Sequence, residues 1–280
     1  MKDKIFQLLI LFSTLIPFLG CEDVIEIDLN SADPKIVIEG VVSNDGSPSQ
    51  VRITRSTDFY EPGIYEKVSG AEVEIIDSEG KSAILTEVSD GLYETNSVLG
   101  EIGRTYFITV KTDGDVYDAE STIPPQITLD SLKLEVAPYP PGGEVEENKR
   151  YFLHFYFQDL PDNEDFCRFK ILNNGKSLGG FRIYMDKYTN GNYIKSRLNL
   201  SAEENDIKIG DELTVELLSI DKAAYDYYFT ANSVNASRTS GSGGPPSSIA
   251  PANPVTNWTN DALGLFSAHS ISTQTIRVEE

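Results

Sequence analysis

Apolar and polar residues alternate in short runs along most of this chain, and turn signals close nearly every run. Val51 and Ile53 alternate with Arg52 and Thr54, and Ala71, Val73 and Ile75 with Glu72 and Glu74. Tyr106, Ile108 and Val110 alternate with Phe107, Thr109 and Lys111. A period of two sends successive side chains to opposite faces, which makes a half-buried strand and cannot make the apolar stripe of a helix. Asn44-Asp45-Gly46, Asp77-Ser78-Glu79-Gly80, Asp90-Gly91 and Asp113-Gly114 supply the turns. Strands this close together, without helical periodicity between them, predict an all-β protein built of sandwiches.

At 280 residues the chain is long enough for two cores. Ile123-Pro124-Pro125-Gln126 is the natural boundary, because two prolines remove backbone donors and stiffen the exit from a strand. The expected organisation is a leader over residues 1–20, an acidic tether over 21–34, a β-sandwich over 35–124, and a β-rich domain over 125–280. In the second domain Tyr151 to Phe157 is apolar on both faces and reads as a central strand. Phe166 to Leu172 is expected to continue the same sheet past an acidic turn. Asn190-Gly191 predicts a hairpin joining Phe181–Tyr188 to Tyr193–Leu200. One helix is expected from Asp221, its cap, to Ser237, with Tyr225, Tyr228, Phe229 and Asn232 packed on a sheet. Ser240 to Pro246 reads as a flexible loop, without the lysine or strand–helix context of a phosphate cradle.

The beginning of the chain gives an address. Lys2 and Lys4 precede an apolar stretch from Ile5 to Phe18, too short and too broken at Pro17 to span a bilayer. Phe18-Leu19-Gly20-Cys21 resembles the lipobox of bacterial lipoproteins, in which Cys21 becomes the first residue and carries lipid; an ordinary cleavage site and a coincidental cysteine are the alternatives. Acylation of Cys21 leaves Cys167 unpaired, and between Phe166 and Arg168 it reads as a small buried side chain. The formal net charge of −21, from 44 acidic and 23 basic residues, excludes a nucleic-acid partner: phosphates are repelled and no basic stripe offsets this. Glu22, Asp23, Glu26 and Asp28 follow the cysteine, either as a solvated tether or as an export signal like that of Bacteroidota surface lipoproteins.

Several stretches together resemble the Bacteroidota outer-membrane lipoproteins grouped as domain of unknown function 4249. They are Asp33-Pro34-Lys35-Ile36-Val37-Ile38-Glu39-Gly40, Val68-Ser69-Gly70-Ala71-Glu72-Val73, Gly91-Leu92-Tyr93 and Gly103-Arg104-Thr105-Tyr106. Further on come Gly210-Asp211-Glu212-Leu213-Thr214-Val215, Tyr225-Asp226-Tyr227-Tyr228, Asn253-Pro254 and Ala262-Leu263-Gly264-Leu265-Phe266. The resemblance implies a lipid-anchored, non-catalytic accessory of a TonB-dependent outer-membrane transporter and brings no catalytic residues with it. The first domain also resembles the immunoglobulin-like or transthyretin-like modules of such transporters. A free-standing glycan-binding or adhesion module is the alternative.

Chemistry is sparse. No HExxH or CxxC occurs, Gly175-Lys176-Ser177-Leu178-Gly179 has the Gly-x-Ser-x-Gly spacing without the strand-to-helix context of a nucleophile elbow, and the two histidines are His154, expected in the interior, and His269, expected near a strand start. Asp159, Asp162, Asn163, Glu164 and Asp165 form the densest set of hard oxygen donors, read either as a solvated turn or as a calcium loop. Tyr139, in a Pro-Gly loop, and Trp258, in a loop-rich stretch, are candidate contacts to a glycan or peptide, with loop anchoring as the alternative. Asp130-Ser131-Leu132 resembles a short O-glycosylation motif with Ser131 as acceptor.

Overall fold

The computed structural model describes residues 33–57, 65–136, 150–161, 164–180, 182–186, 191–201, 206–239 and 253–279. Before the proline pair run β1 (Ile36–Ser43), β2 (Ser49–Arg55), β3 (Glu72–Asp77), β4 (Ser82–Ile84), β5 (Thr86–Ser89), β6 (Leu92–Thr95), β7 (Thr105–Thr112) and β8 (Asp115–Thr122). After it come β9 (Leu129–Val136), β10 (Arg150–Gln158), β11 (Phe166–Asn173), β12 (Lys176–Ser177), β13 (Arg182–Met185), β14 (Tyr193–Ser201), β15 (Glu212–Ile220), helix α1 (Lys222–Thr239) and β16 (Leu263–Arg277). The protein is all-β, with one helix among the described residues.

Three sheets form. A long one runs β12-β11-β15-β16-β1-β2-β6-β5, with β13 also on β11; the others are β4-β3-β7-β8 and β14-β10-β9. The four-stranded sheet covers the β1–β2 end of the long sheet over a core that includes Ile38, Ile53, Ile75, Tyr93, Tyr106 and Ile108. The three-stranded sheet closes the second core, where Leu153, Phe155 and Phe157 meet Phe169, Ile171 and Val215. Phe155 stacks on Phe169 with ring centroids 4.9 Å apart, and Phe157 lies 5.7 Å from both Phe169 and Tyr184. Each such side chain contributes about 2–3 kcal/mol over an exposed one.

The last strand joins the two halves. Val37–Ser43 of β1 pair in parallel with Leu263–His269, and Glu212–Ser219 of β15 pair antiparallel with Ser270–Arg277. The proline boundary is therefore crossed by β16, and Trp258, Ala262, Phe266 and Ala268 belong to the first core although they lie far beyond it in sequence. Two glycines permit this seam. A Cβ on Gly264, at φ +99°, would stand 2.1 Å from the Ile38 carbonyl oxygen, and one on Gly40 would meet the Phe266 ring at 2.7 Å. Side chains reinforce it: Ala268 N–H donates to Ser121 Oγ at 2.8 Å, and Ile271 N–H to Asn44 Oδ1 at 2.9 Å.

Two sequence expectations fail in the second half. The Asn-Gly turn does not close a hairpin, because β13 pairs with β11 and β14 with β10. The acidic turn does not continue a sheet either; it carries the chain from β10 in one sheet to β11 in the other. Local turn chemistry fixes that the chain bends, while the partner is chosen by which apolar face must be covered. Asp221 caps α1 through Ala224 N–H to Oδ1 at 2.9 Å, and it also accepts from Ser121 Oγ at 2.5 Å. Tyr225 packs on Phe166 at 5.0 Å, but Phe229 is 55% exposed, so the aromatic stripe is narrower than expected.

Candidate ligand-binding surface

Strand β10 explains why YFLHFYF is aromatic on both sides. Tyr151, Leu153, Phe155 and Phe157 are buried, whereas Phe152, His154 and Tyr156 form a half-buried column on the opposite face. Ring centroids are 6.4 Å apart from Phe152 to His154 and from His154 to Tyr156, and Tyr193 of β14 extends the column 6.5 Å beyond Tyr156. His154 is thus not an interior imidazole. Its Nε2 lies 3.2 Å from Glu135 Oε2 of β9, and Lys133 is ion-paired with the same carboxylate.

Register places cations beside these rings. Arg197 and Lys133 are opposite His154, and Lys195 is opposite Tyr156. The Arg197 guanidinium carbon sits 4.3 Å from the Phe152 ring centroid, a cation–π contact. Arg150 shares the parity of the column and is exposed. Ser131, exposed on β9, lies opposite Tyr156 on the same face.

Beneath one end of this sheet lies a group of carboxylates that is not solvated. Asp159, Asp165 and Asp186 are 0%, 7% and 3% exposed. Asp159 N–H donates to the Asn192 carbonyl, Gly191 N–H to Asp159 Oδ2 at 3.1 Å, and Asp186 N–H to the Asp165 carbonyl. Burial, followed by the hydrogen bond and charge of Asp186, pushes the Asp159 carboxyl up to about 6. Burial also raises Asp165. Asp159 Oδ1 meets no donor while both acids are ionised, and one proton shared with Asp186 removes that deficit. Burial and packing, not turn solvation, govern Asp159 and Asp165, which corrects the solvated-turn reading. Asp162 and Asn163 lie outside the described residues. Among the described ones, no group of three or more His, Cys, Asp or Glu side chains is arranged to hold a metal ion.

Trp258 is no ligand contact: it is 5% exposed and packs 6.2 Å from Phe266 in the first core, so loop anchoring is its role. Tyr139 and Cys21 lie outside the described residues. His269 is buried in mid-strand, not exposed at a strand start; burial, and secondarily the charge of Arg168, pushes it down to about 4. Its Nδ1 is 3.2 Å from Ser267 Oγ, but both side chains are enclosed, and Asp45 is bonded to Ser43 Oγ and Ser47 N–H. Cys167 is fully buried, and burial holds its thiol far above the ordinary range. A hollow of about 490 Å³ beside Asn173, Asn174 and Lys208 is lined by turn residues whose polar groups bond one another: Asp211 accepts from Lys208 N–H and from both asparagines. No described helix is long and apolar enough to cross a membrane.

Sequence reasoning missed Asp186, which has no local signal, and the outward column, whose parity was visible in Phe152, His154 and Tyr156. A family model described as "Domain of unknown function (DUF4249)" matches residues 22–275, and the chain belongs to that family. Among curated proteins nothing matches it. Two of the stretches that carry the sequence resemblance serve the scaffold. Tyr93 Oη accepts from Ala71 N–H and donates to the Val68 carbonyl, while Arg104 pairs with the buried Asp77 at 2.7 Å.

Proposed function

We propose that this member of the family is a lipid-anchored, non-catalytic outer-membrane protein, displayed at the cell surface, that contributes binding surface beside a TonB-dependent transporter during nutrient uptake. The observation that carries this reading is Phe18-Leu19-Gly20-Cys21 behind an apolar leader and ahead of Glu22, Asp23, Glu26 and Asp28. More than one acyl chain on Cys21 would hold the protein firmly at a bilayer, where one alone is marginal. The architecture supports a binding role over a catalytic one. The Ser267–His269 pair and the Asp159–Asp186 pair are both enclosed, whereas the open chemistry lies on an outward sheet face. That face replaces Trp258 as the candidate contact surface.

The test is purification of the tagged full chain from membranes in mild detergent, alongside a Cys21→Ala variant. The reading expects fatty-acid labelling that depends on Cys21, removal of the protein from intact cells by protease, and a large barrel protein in the eluate. A protein that is unlabelled or elutes free of any barrel contradicts it. A free-standing glycan-binding module is the second reading, favoured by the aromatic column, and it predicts saccharide binding without a barrel partner.

A further inference from the structure

We infer that the outward face of the β14-β10-β9 sheet binds an acidic oligosaccharide, with sugar rings along the aromatic column and uronate carboxylates on the flanking cations. This deepens the binding role proposed above and names its ligand class.

The chain has 44 acidic and 23 basic residues, yet here the balance reverses. Arg150, Lys133, Lys195 and Arg197 share the face with Glu135, which is already engaged by Lys133, and with Asp130, exposed at the bulge beside Ser131. In a field that is negative elsewhere, a local cationic surface selects an anionic ligand. Arginine and lysine beside a carboxylate form its strongest hydrogen bonds.

The outward positions of β10 carry Phe152, His154 and Tyr156, Tyr193 extends them, and no aliphatic side chain stands among the outward positions of the three strands. An amphipathic helix or a bilayer is met by aliphatic grooves or protruding apolar side chains. Rings interleaved with hydrogen-bonding groups instead suit a ligand that is itself both: a pyranose offers C–H groups to a π face and hydroxyls to its rim. The two 6.4 Å spacings are held by the rise along β10 and the 6.5 Å spacing by the β10–β14 pairing, not by mobile loops. Such a platform costs little ordering on binding.

Calorimetry on the full-length protein in detergent tests this, with oligogalacturonate as the probe. Neutral cello-oligosaccharide, poly-glutamate and phosphatidylglycerol vesicles serve as comparisons. Oligogalacturonate is expected to bind at least about tenfold more tightly than each comparison, and to weaken as salt is raised. Tyr156→Ala and Lys195→Glu should each cost about tenfold or more, with the unfolding temperature unchanged in Lys195→Glu. Equal binding of poly-glutamate or of the vesicles overturns the inference in favour of a peptide or a lipid surface. Absence of oligogalacturonate binding, or full affinity in both variants, also overturns it. Barrel co-purification is read separately, so saccharide failure with the barrel retained removes this inference alone.

Discussion

The outer faces of the two smaller sheets share a geometry and invert its charge. On the β3-β7-β8 face, Glu72, Glu74, Asp118 and Glu120 surround a single cation, Lys111. On the β14-β10-β9 face, four cations surround Glu135 and a column of rings. Beneath them, polar burial differs as well. In the first sandwich Tyr93, Tyr106 and Asp77 all reach partners: Tyr106 Oη donates to the Leu99 carbonyl and accepts from Glu101 N–H, and Asp77 accepts two backbone N–H groups besides pairing with Arg104. In the second, Asp165 Oδ2 meets no donor, and Asp159 Oδ1 meets one only through a proton shared with Asp186. Apart from Trp258 Nε1, the described buried side chains of the first core reach partners under an acidic skin, as suits a scaffold; unsatisfied acids under a cationic aromatic skin mark the half where stability gives way to other demands.

The contrast breaks most directly at the seam. Phe266→Ala should cost about 3–5 kcal/mol in urea unfolding, because a ring packed against Gly40 and Trp258 leaves a cavity that two backbones cannot close. Both sandwiches are expected to lose cooperativity together, since β16 serves both; two resolved transitions in the wild type would separate them. Arg104→Ala, which strands the buried Asp77 carboxylate, should cost about 2 kcal/mol, with Glu79 and Glu101 contributing little because they are exposed.

The buried acids and the buried imidazole sharpen the contrast through pH. Asp159 is raised from 3.8 to about 6, so its contribution is full below 3.8 and is lost as pH rises through about 6. His269 is lowered from 6.5 to about 4, so its contribution is full above 6.5 and is lost as pH falls through about 4. Asp159→Asn should therefore raise the unfolding temperature at neutral pH relative to wild type, and this advantage should shrink on acidification toward 4. A gap that widens on acidification contradicts the buried-acid assignment. The smallest effect is expected on the outward face, where Lys195→Ala should change stability by no more than about 0.5 kcal/mol.

Much of the fold was legible because alternation alone decides which side chains face inward. The register of β7 and β8 follows from Asp113-Gly114, both at positive φ, and the cap at Asp221 from its place before the helix. What was not legible depends on chain segments far apart. Nothing near Asn190-Gly191 reveals that β14 will pair with β10, and nothing near Trp258 reveals that it will return to the first core. The site shows the same limit. The parity of Phe152, His154 and Tyr156 is written in the sequence, but that this face stays open follows only from which sheet covers the other.

Hydrogen–deuterium exchange of the full-length protein, with and without saturating oligogalacturonate, tests the central division between scaffold and binding half most directly. Slowed exchange concentrated in β9, β10 and β14, with β1 to β8 unchanged, is the predicted result. Protection centred on the β3-β7-β8 sheet, or no protection anywhere, would contradict it.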